Sequence, residues 1–334
     1  MRLRQWVFAF LIIAIMPASG CTRDNGKKTM DNKKEQTVTY GVGRFVIDIP
    51  ISMQYRGGSY RMRIRDIKEV LWQEGNPKKS AEAEWEARLA KIGKLKPIKG
   101  KDNALIEQKE IKGIGKWCKA VFYYGDSFDA DSGYLDLLIN EGQVGVWITT
   151  NGRISGKDFM YEKSTDLAKA YRPPAHRMGR VSVLKNVDSF YMQYGAIDLP
   201  FEYQESAGIY LEGHTTDKSL KLEIESKVSD EVQPAGLIGR FEAAVETGYA
   251  QGLKIEKIRA KERTVAGEKG EEFVYIGVEA DGDKGISYLW ESPGELNSGQ
   301  HPELSITMDS DDKNLAERLA LWDAILDSMR PAGR

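Results

Sequence analysis

Phe45-Val-Ile-Asp-Ile-Pro50 and Ala196-Ile-Asp-Leu-Pro200 are one short signature written twice. In each, apolar residues lead through an aspartate to a proline, which ends a strand because it has no amide to donate. A helix-like stretch and glycine-punctuated apolar runs follow each signature. Each half then closes on a helix that ends in Arg-Pro, at Tyr171-Arg172-Pro173 and at Met329-Arg330-Pro331. The order of signals predicts a tandem duplication.

The two halves check each other. In the first, Gly43–Ile49 and Tyr60–Glu69 alternate like strands, and Trp85, Leu89 and Ile92 space a helix over Ala81–Ile92 with Ser80 as its cap. Strands follow at Gly115–Tyr124, Tyr134–Asn140 and Val144–Thr150, the last two joined by a turn at Glu141-Gly142-Gln143. Asp158–Tyr171 is the closing helix. The second half repeats this with strands at Tyr194–Pro200, Ile209–Gly213, Leu220–Lys227, Glu271–Val278, Ile286–Glu291 and Glu303–Met308. Its helices are Leu237–Gln251 and Lys313–Met329. The fold class is therefore α+β: two tandem duplicated domains, each a mostly antiparallel sheet with helices packed on one face. The expected division is 39–172 and 189–334, with a linker at 173–188.

Residues 1–20 read as a lipoprotein signal peptide. Arg2 and Arg4 precede an eleven-residue apolar run, Trp6–Met16, too short to span a bilayer stably. Pro17-Ala-Ser-Gly-Cys21 then places small residues before a cysteine, so Cys21 is the expected lipidation site and membrane anchor. Thr22 follows it, which points to the outer membrane and a periplasmic location. Residues 21–38 are too polar to bury a core and read as a tether.

The remaining chain is a globular protein that is 41% hydrophobic and 29% charged. Residues 22–185 hold 31 Lys+Arg against 21 Asp+Glu, whereas 186–334 hold 15 against 29. A near-neutral total thus hides a bipolar molecule. With Cys21 acylated, Cys118 is the one free thiol, and its strand-like setting makes it a core residue.

Catalytic constellations are thin. His176, His214 and His301 are not spaced as a metal pair, and no serine sits in a G-x-S-x-G elbow. Gly41-Val-Gly43 and Gly113-Ile-Gly115 lack the third glycine of a nucleotide cradle. Asp48 and Asp198 occupy equivalent places in the two copies and read as structural. The aspartates at 126–131, 281–283 and 309–312 lack the spacing of a calcium loop. No enzyme, metal or cofactor is expected. What remains is surface: Arg56, Arg61, Arg63 and Arg65, with Lys94–Lys101, on one half. On the other are Glu202, Glu205, Glu223, Glu225, Glu268, Glu271 and Glu272. A two-armed protein binder, monomeric and without nucleic acid, accounts for both, with Arg61, Arg63 and Arg65 as the candidate partner-binding residues.

Several segments carry a family likeness: Gly43–Pro50, Leu199-Pro-Phe-Glu202, Gly270-Glu-Glu272, Trp290-Glu291, and Leu321–Ser328 with Arg330-Pro331. On these the chain resembles the Tli immunity lipoproteins of type VI secretion, in the branch named Tle cognate immunity protein four. The resemblance implies two α+β domains and a non-enzymatic inhibitor. It also implies a partner, a cognate Tle-type lipase effector, and a role in protecting the producing cell. The segments are packing elements and transfer no contact residues. The alternative reading is an envelope lipoprotein that binds a small ligand or cell-wall component.

Overall fold

The computed structural model describes residues 36–98, 100–125, 129–174, 189–201, 204–213, 217–231, 236–246, 254–278 and 284–332. Cys21, the tether up to residue 35, His176, His214 and Glu202 lie outside these.

The first half runs β1 (Thr37–Val42), β2 (Phe45–Pro50), β3 (Met53–Met62), β4 (Arg65–Leu71), α1 (Pro77–Gly93), β5 (Leu105–Glu110), β6 (Trp117–Tyr123), β7 (Ser132–Asn140), β8 (Val144–Arg153), α2 (Lys157–Ala170) and β9 (Tyr171–Arg172). The second half runs β10 (Phe190–Tyr191), β11 (Ala196–Ile197), β12 (Glu205–Gly213), β13 (Lys221–Lys227), α3 (Leu237–Glu246), β14 (Lys254–Val265), β15 (Glu268–Val278), β16 (Lys284–Ser292), β17 (Glu303–Asp311), α4 (Leu315–Ser328) and β18 (Arg330–Pro331).

Twelve of these strands form one sheet in the order β14-β15-β16-β17-β13-β12-β3-β4-β8-β7-β6-β5, and the two halves meet at β12 against β3. Read outward from that seam, the halves have the same connectivity: β3-β4-β8-β7-β6-β5 answers β12-β13-β17-β16-β15-β14. In each half a helix follows the second strand and another follows the last. The α+β class and the antiparallel pairing are as read from sequence. The halves share a sheet rather than meeting only through the linker, and residues 35–334 cluster as one unit.

Two small sheets show how the halves are tied. The opening hairpin β1–β2 pairs with β18, from the end of the second half. The hairpin β10–β11 pairs with β9, from the end of the first. Each half therefore completes the other's hairpin. The duplicated aspartates sit on these joints: Asp48 pairs with Arg330 at 2.9 Å, and Asp198 with Arg172 at 3.4 Å. The hairpins also touch, since the amides and carbonyls of Gly43 and Tyr191 exchange bonds of 2.7 and 3.0 Å. A Cβ at Gly41 would stand 2.5 Å from that of Tyr191, so only glycine allows the approach.

Helices cover both faces of the sheet, not one. β6 and β7 are buried on successive residues, which requires packing on both sides. Trp85 of α1 stacks on Trp147 at 6.1 Å on one face, while Tyr161 of α2 meets Phe122 at 6.3 Å on the other. In the second half Phe241 of α3 lies 4.2 Å from Phe273, and Trp322 of α4 lies 5.7 Å from Tyr288. α2, α4 and both small sheets pack over the main core; α1 closes a separate cluster with Trp72, Val121 and Leu138.

Local readings differ at four points. Tyr194–Pro200 is a strand only at Ala196–Ile197, where it pairs with β10 and β9. Tyr60–Glu69 is not one strand, because Arg63 and Ile64 turn with φ of 51° and 65° between β3 and β4. That is the double positive φ of a type I′ hairpin turn, made without its usual Asn-Gly. α1 starts four residues early: Asn76, not Ser80, caps it by accepting from the Lys79 amide at 3.4 Å, and Pro77 opens the helix. Charge-rich β5 and β14 form the two edges of the sheet.

Candidate interaction surface

In an antiparallel ladder, residues that pair point to the same face. Trp147, under α1, pairs with Lys68, so Lys68 and its alternate neighbour Asp66 look to the α1 side. Asp66 pairs with Arg61, Arg61 with Ser206, Ser206 with Lys227, and Lys227 with Glu303. Ser305 pairs with Glu291, whose strand neighbour Leu289 pairs with Phe273 under α3. α1 and α3 thus lie on one face, at the two ends of the sheet. Between them β4, β3, β12, β13, β17 and β16 carry no helix. At ordinary strand spacing this floor is roughly 24 Å across.

Cavities lie beside both helices. A volume of about 680 Å³ opens beside α3 between Arg240, Glu271, Glu291 and Glu303. One of about 370 Å³ opens beside α1 between Asp66, Arg88, Lys91 and Asp136. Arg88 donates to Asp136 at 2.6 Å, Arg240 pairs with Glu291, and the Glu271 carboxylate accepts the Ile238 amide at 2.7 Å, capping α3. Polar, open walls of this kind suit a protein surface better than a small apolar ligand.

The three candidate arginines part company. Arg61 projects from the floor, half exposed, and pairs with Asp66 at 3.4 Å. Arg63 forms the strained turn. Arg65 is buried: its Nε donates to Ser164 Oγ at 3.1 Å, and its Nη1 donates to the Arg63 carbonyl. Arg65 is thus a strut between β4 and α2, and the structure does not bring the three to one patch. Arg56, on the bulge of β3, pairs with Glu212 at 3.0 Å.

Most acids of the second half are engaged internally. Glu205 is buried and accepts Arg44 Nε at 2.8 Å. Glu272 is fully buried and accepts Arg259 Nη1 at 2.7 Å and Trp322 Nε1 at 3.0 Å. Glu268 meets His301 Nδ1 at 3.0 Å. Glu223 and Glu225 differ: both are exposed on the floor, two residues apart on β13. Burial and the nearby charges of Glu225 and Asp309 push the Glu223 carboxyl above its ordinary value. This distinction was missed in the sequence, where all seven acids look alike; only the alternation of β13 hinted at it.

The remaining suspects are structural. Asp129 accepts the Asp131 amide at 2.9 Å and the Ser132 hydroxyl at 2.5 Å, tightening its own turn. Cys118 is buried, and burial with Glu141 and Glu110 nearby pushes its thiol up to about 12. Among the described residues no group of His, Cys, Asp and Glu is arranged to hold a metal.

Residues 190–332 match the family profile described as the Tle cognate immunity protein 4 C-terminal domain. About nine-tenths of the chain shares its fold with solved structures. The apo structure of the immunity protein TplEi of T6SS from Pseudomonas aeruginosa aligns with a TM-score of 0.73 at 20% identity, over 90% of this chain and 99% of that one. A chain of the Tle4-Tli4 complex aligns with a TM-score of 0.72 at 20% identity, over 91% and 99%. TplEi complexed with "L" peptide aligns at 0.66 and 19%. No curated protein matches the chain in sequence. The resemblance drawn from the sequence is thus met by a profile match over residues 190–332 and by a shared fold over about nine-tenths of the chain.

Proposed function

We propose that the chain is an immunity protein that binds and neutralises a Tle-type lipase effector of a type VI secretion system. The match of residues 190–332 to an immunity-protein domain carries this reading. The fold shared with an immunity protein and with a chain of a Tle4-Tli4 complex supports it over about nine-tenths of the chain. Inhibition is stoichiometric, by occupation of the effector's surface, and the chain has no catalytic role. In this reading residues 39–172 and 189–334 are duplicated halves of one inhibitor. Cys21 carries a lipid that holds the protein at the periplasmic side of the outer membrane, and the monomer is the working unit.

The test is protection. Bacteria that export the cognate Tle-type lipase to the periplasm should lyse alone and survive when the chain is co-expressed. Survival unchanged by the chain refutes the proposal. Cys21→Ser should release the protein from the membrane fraction, because the acyl chains supply the affinity and the polar tether supplies none. Retention of that variant refutes the anchor.

A further inference from the structure

We infer that the uncovered face between α1 and α3 is the surface that receives the effector. A polarised segment lies across the strands there, its cationic end over Glu223, Glu225 and Asp309 and its anionic end over Arg61 and Lys68. This rests on the proposed function and specifies where it happens.

Three observations converge. The opposite face is closed by α2, α4 and the two exchanged hairpins, so a partner cannot reach the sheet there. The uncovered face leans basic in the first half and acidic in the second, although Asp66 stands beside Arg61, and Lys221 and Lys227 stand among the acids opposite Asp309 and Glu303. Arg61 and Lys68 stand on β3 and β4 of the first half, and Glu223, Glu225 and Asp309 stand on β13 and β17 of the second. Glu223 and Glu225 make no ion pair among the described residues, unlike Glu205 and Glu272. Like charges placed side by side disfavour the free protein. Burial, with the neighbouring acids Glu225 and Asp309 adding to it, holds the Glu223 carboxyl above its ordinary value, and an arriving cation offsets the part due to repulsion. The cavities flanking α1 and α3 give side chains of the segment somewhere to enter.

A bipolar face is also complementary to a second copy of itself, so the test includes oligomeric state. The probe is the purified cognate Tle-type lipase, the one that kills in the co-expression test. Its affinity is measured by biolayer interferometry, with light scattering of the free chain. Glu223→Lys with Glu225→Lys should weaken binding at least about tenfold at physiological salt and slow association most. The gap should shrink at high salt. The control, Glu162→Lys with Glu317→Lys, makes the same change of net charge on α2 and α4 and should stay within about twofold of wild type. Glu223→Gln with Glu225→Gln, which introduces no repulsion, should weaken binding by less than the reversal. Wild-type binding that survives the reversal, or falls equally in the control, overturns the inference and leaves the proposed function standing. A dimer of the free chain that the reversal dissociates also overturns it. Absence of any wild-type binding refutes the proposed function itself.

Discussion

Replacing Glu272 by glutamine should cost about 2–3 kcal/mol of stability. Glu272 sits on β15, fully buried beneath α4. Its Oε1 accepts Arg259 Nη1 at 2.7 Å and Trp322 Nε1 at 3.0 Å; its Oε2 accepts Arg263 Nη1 at 3.3 Å, with Lys261 Nζ at 3.5 Å. Glutamine keeps the volume and one carbonyl oxygen, so the Oε1 bonds survive without their charge. At the other position an NH₂ faces a guanidinium, and a charge-assisted bond of about 1.5–3 kcal/mol is lost. Breaking a buried pair outright costs about 3–5 kcal/mol when the partner charge is stranded. Here Arg263 keeps Asp323 at 2.6 Å, which holds the loss to the lower end. The assay is urea unfolding followed by circular dichroism, with Trp322→Phe as the second arm of a double-mutant cycle. The two share Oε1, so the cycle should show coupling of about 1 kcal/mol. A loss below about 1 kcal/mol for Glu272→Gln, or strict additivity, would refute the reasoning that this carboxylate pins α4 to the sheet.

Three further outcomes are expected. Deleting Met329–Arg334 removes β18, so hydrogen exchange should accelerate most at Thr37–Pro50, about 280 residues away in sequence, and less at Phe190–Ile197, which loses only its packing on Ala332; the reverse order would mean the exchange of strands is misassigned. The 2.6 Å bond from Arg318 holds the Asp217 carboxyl below the usual carboxylate range. Its stabilisation is therefore present above the unfolded value of about 3.9 and fades as pH falls through the folded one. Asp217→Asn should cost about 1 kcal/mol at neutral pH and progressively less in acid, read from urea midpoints across pH. Arg65→Ala should cost about 2 kcal/mol through its lost bond to Ser164, while Arg61→Ala should stay within about 0.5 kcal/mol, by the same urea assay.

What the sequence disclosed follows physical lines. Alternating strands with one wet face, such as β13 and β17, were legible because period two survives when half the residues stay polar. The edge strands β5 and β14 were not. Leu105-Ile-Glu-Gln-Lys-Glu110 and Lys254–Val265 are dense in charge, as unpaired edges must be to avoid sticking, and this hides the strand signal. The Arg63–Ile64 turn was illegible because neither residue favours positive φ, and an isoleucine there is strained. Asn76-Pro77 did carry a helix-start signal, which the apolar spacing of Trp85 and Leu89 drew attention away from. The acidic list mixed two kinds of residue. Glu272 and Glu225 look identical in one dimension, yet one is sealed beneath α4 and the other faces solvent, because strand parity and pairing partners are set by the sheet. The candidate site suffered the same way: Arg61 and Arg65 share a five-residue stretch but fall on opposite faces once the turn intervenes.

The exchange of terminal strands bears on the charge split. A charge imbalance between halves has a simple origin if the halves merely attract one another. Across the joint the structure does place Arg44 on Glu205, Arg56 on Glu212 and Arg172 on Asp198, each a first-half arginine on a second-half acid. Arg330 on Asp48 runs the other way. These pairs sit at the hairpins and along the seam of β3 with β12, where covalent continuity, sheet hydrogen bonds and strand exchange already hold the halves together. Arg44 on Glu205 is buried, but one such pair needs no more than one charge from each half; the exposed pairs add at most about 1 kcal/mol to such a joint, so inter-half attraction gives little reason to keep so large an imbalance. Its remaining members that stand clear of the joint, Lys68 on one side and Glu223 and Glu225 on the other, lie on the face that the exchange leaves open. Strand exchange fixes that face as a rigid platform, because neither half can rotate away without breaking the other's small sheet. A rigid platform gains more from charge placed at a distance than a hinged pair does, since the partner meets one fixed field on approach.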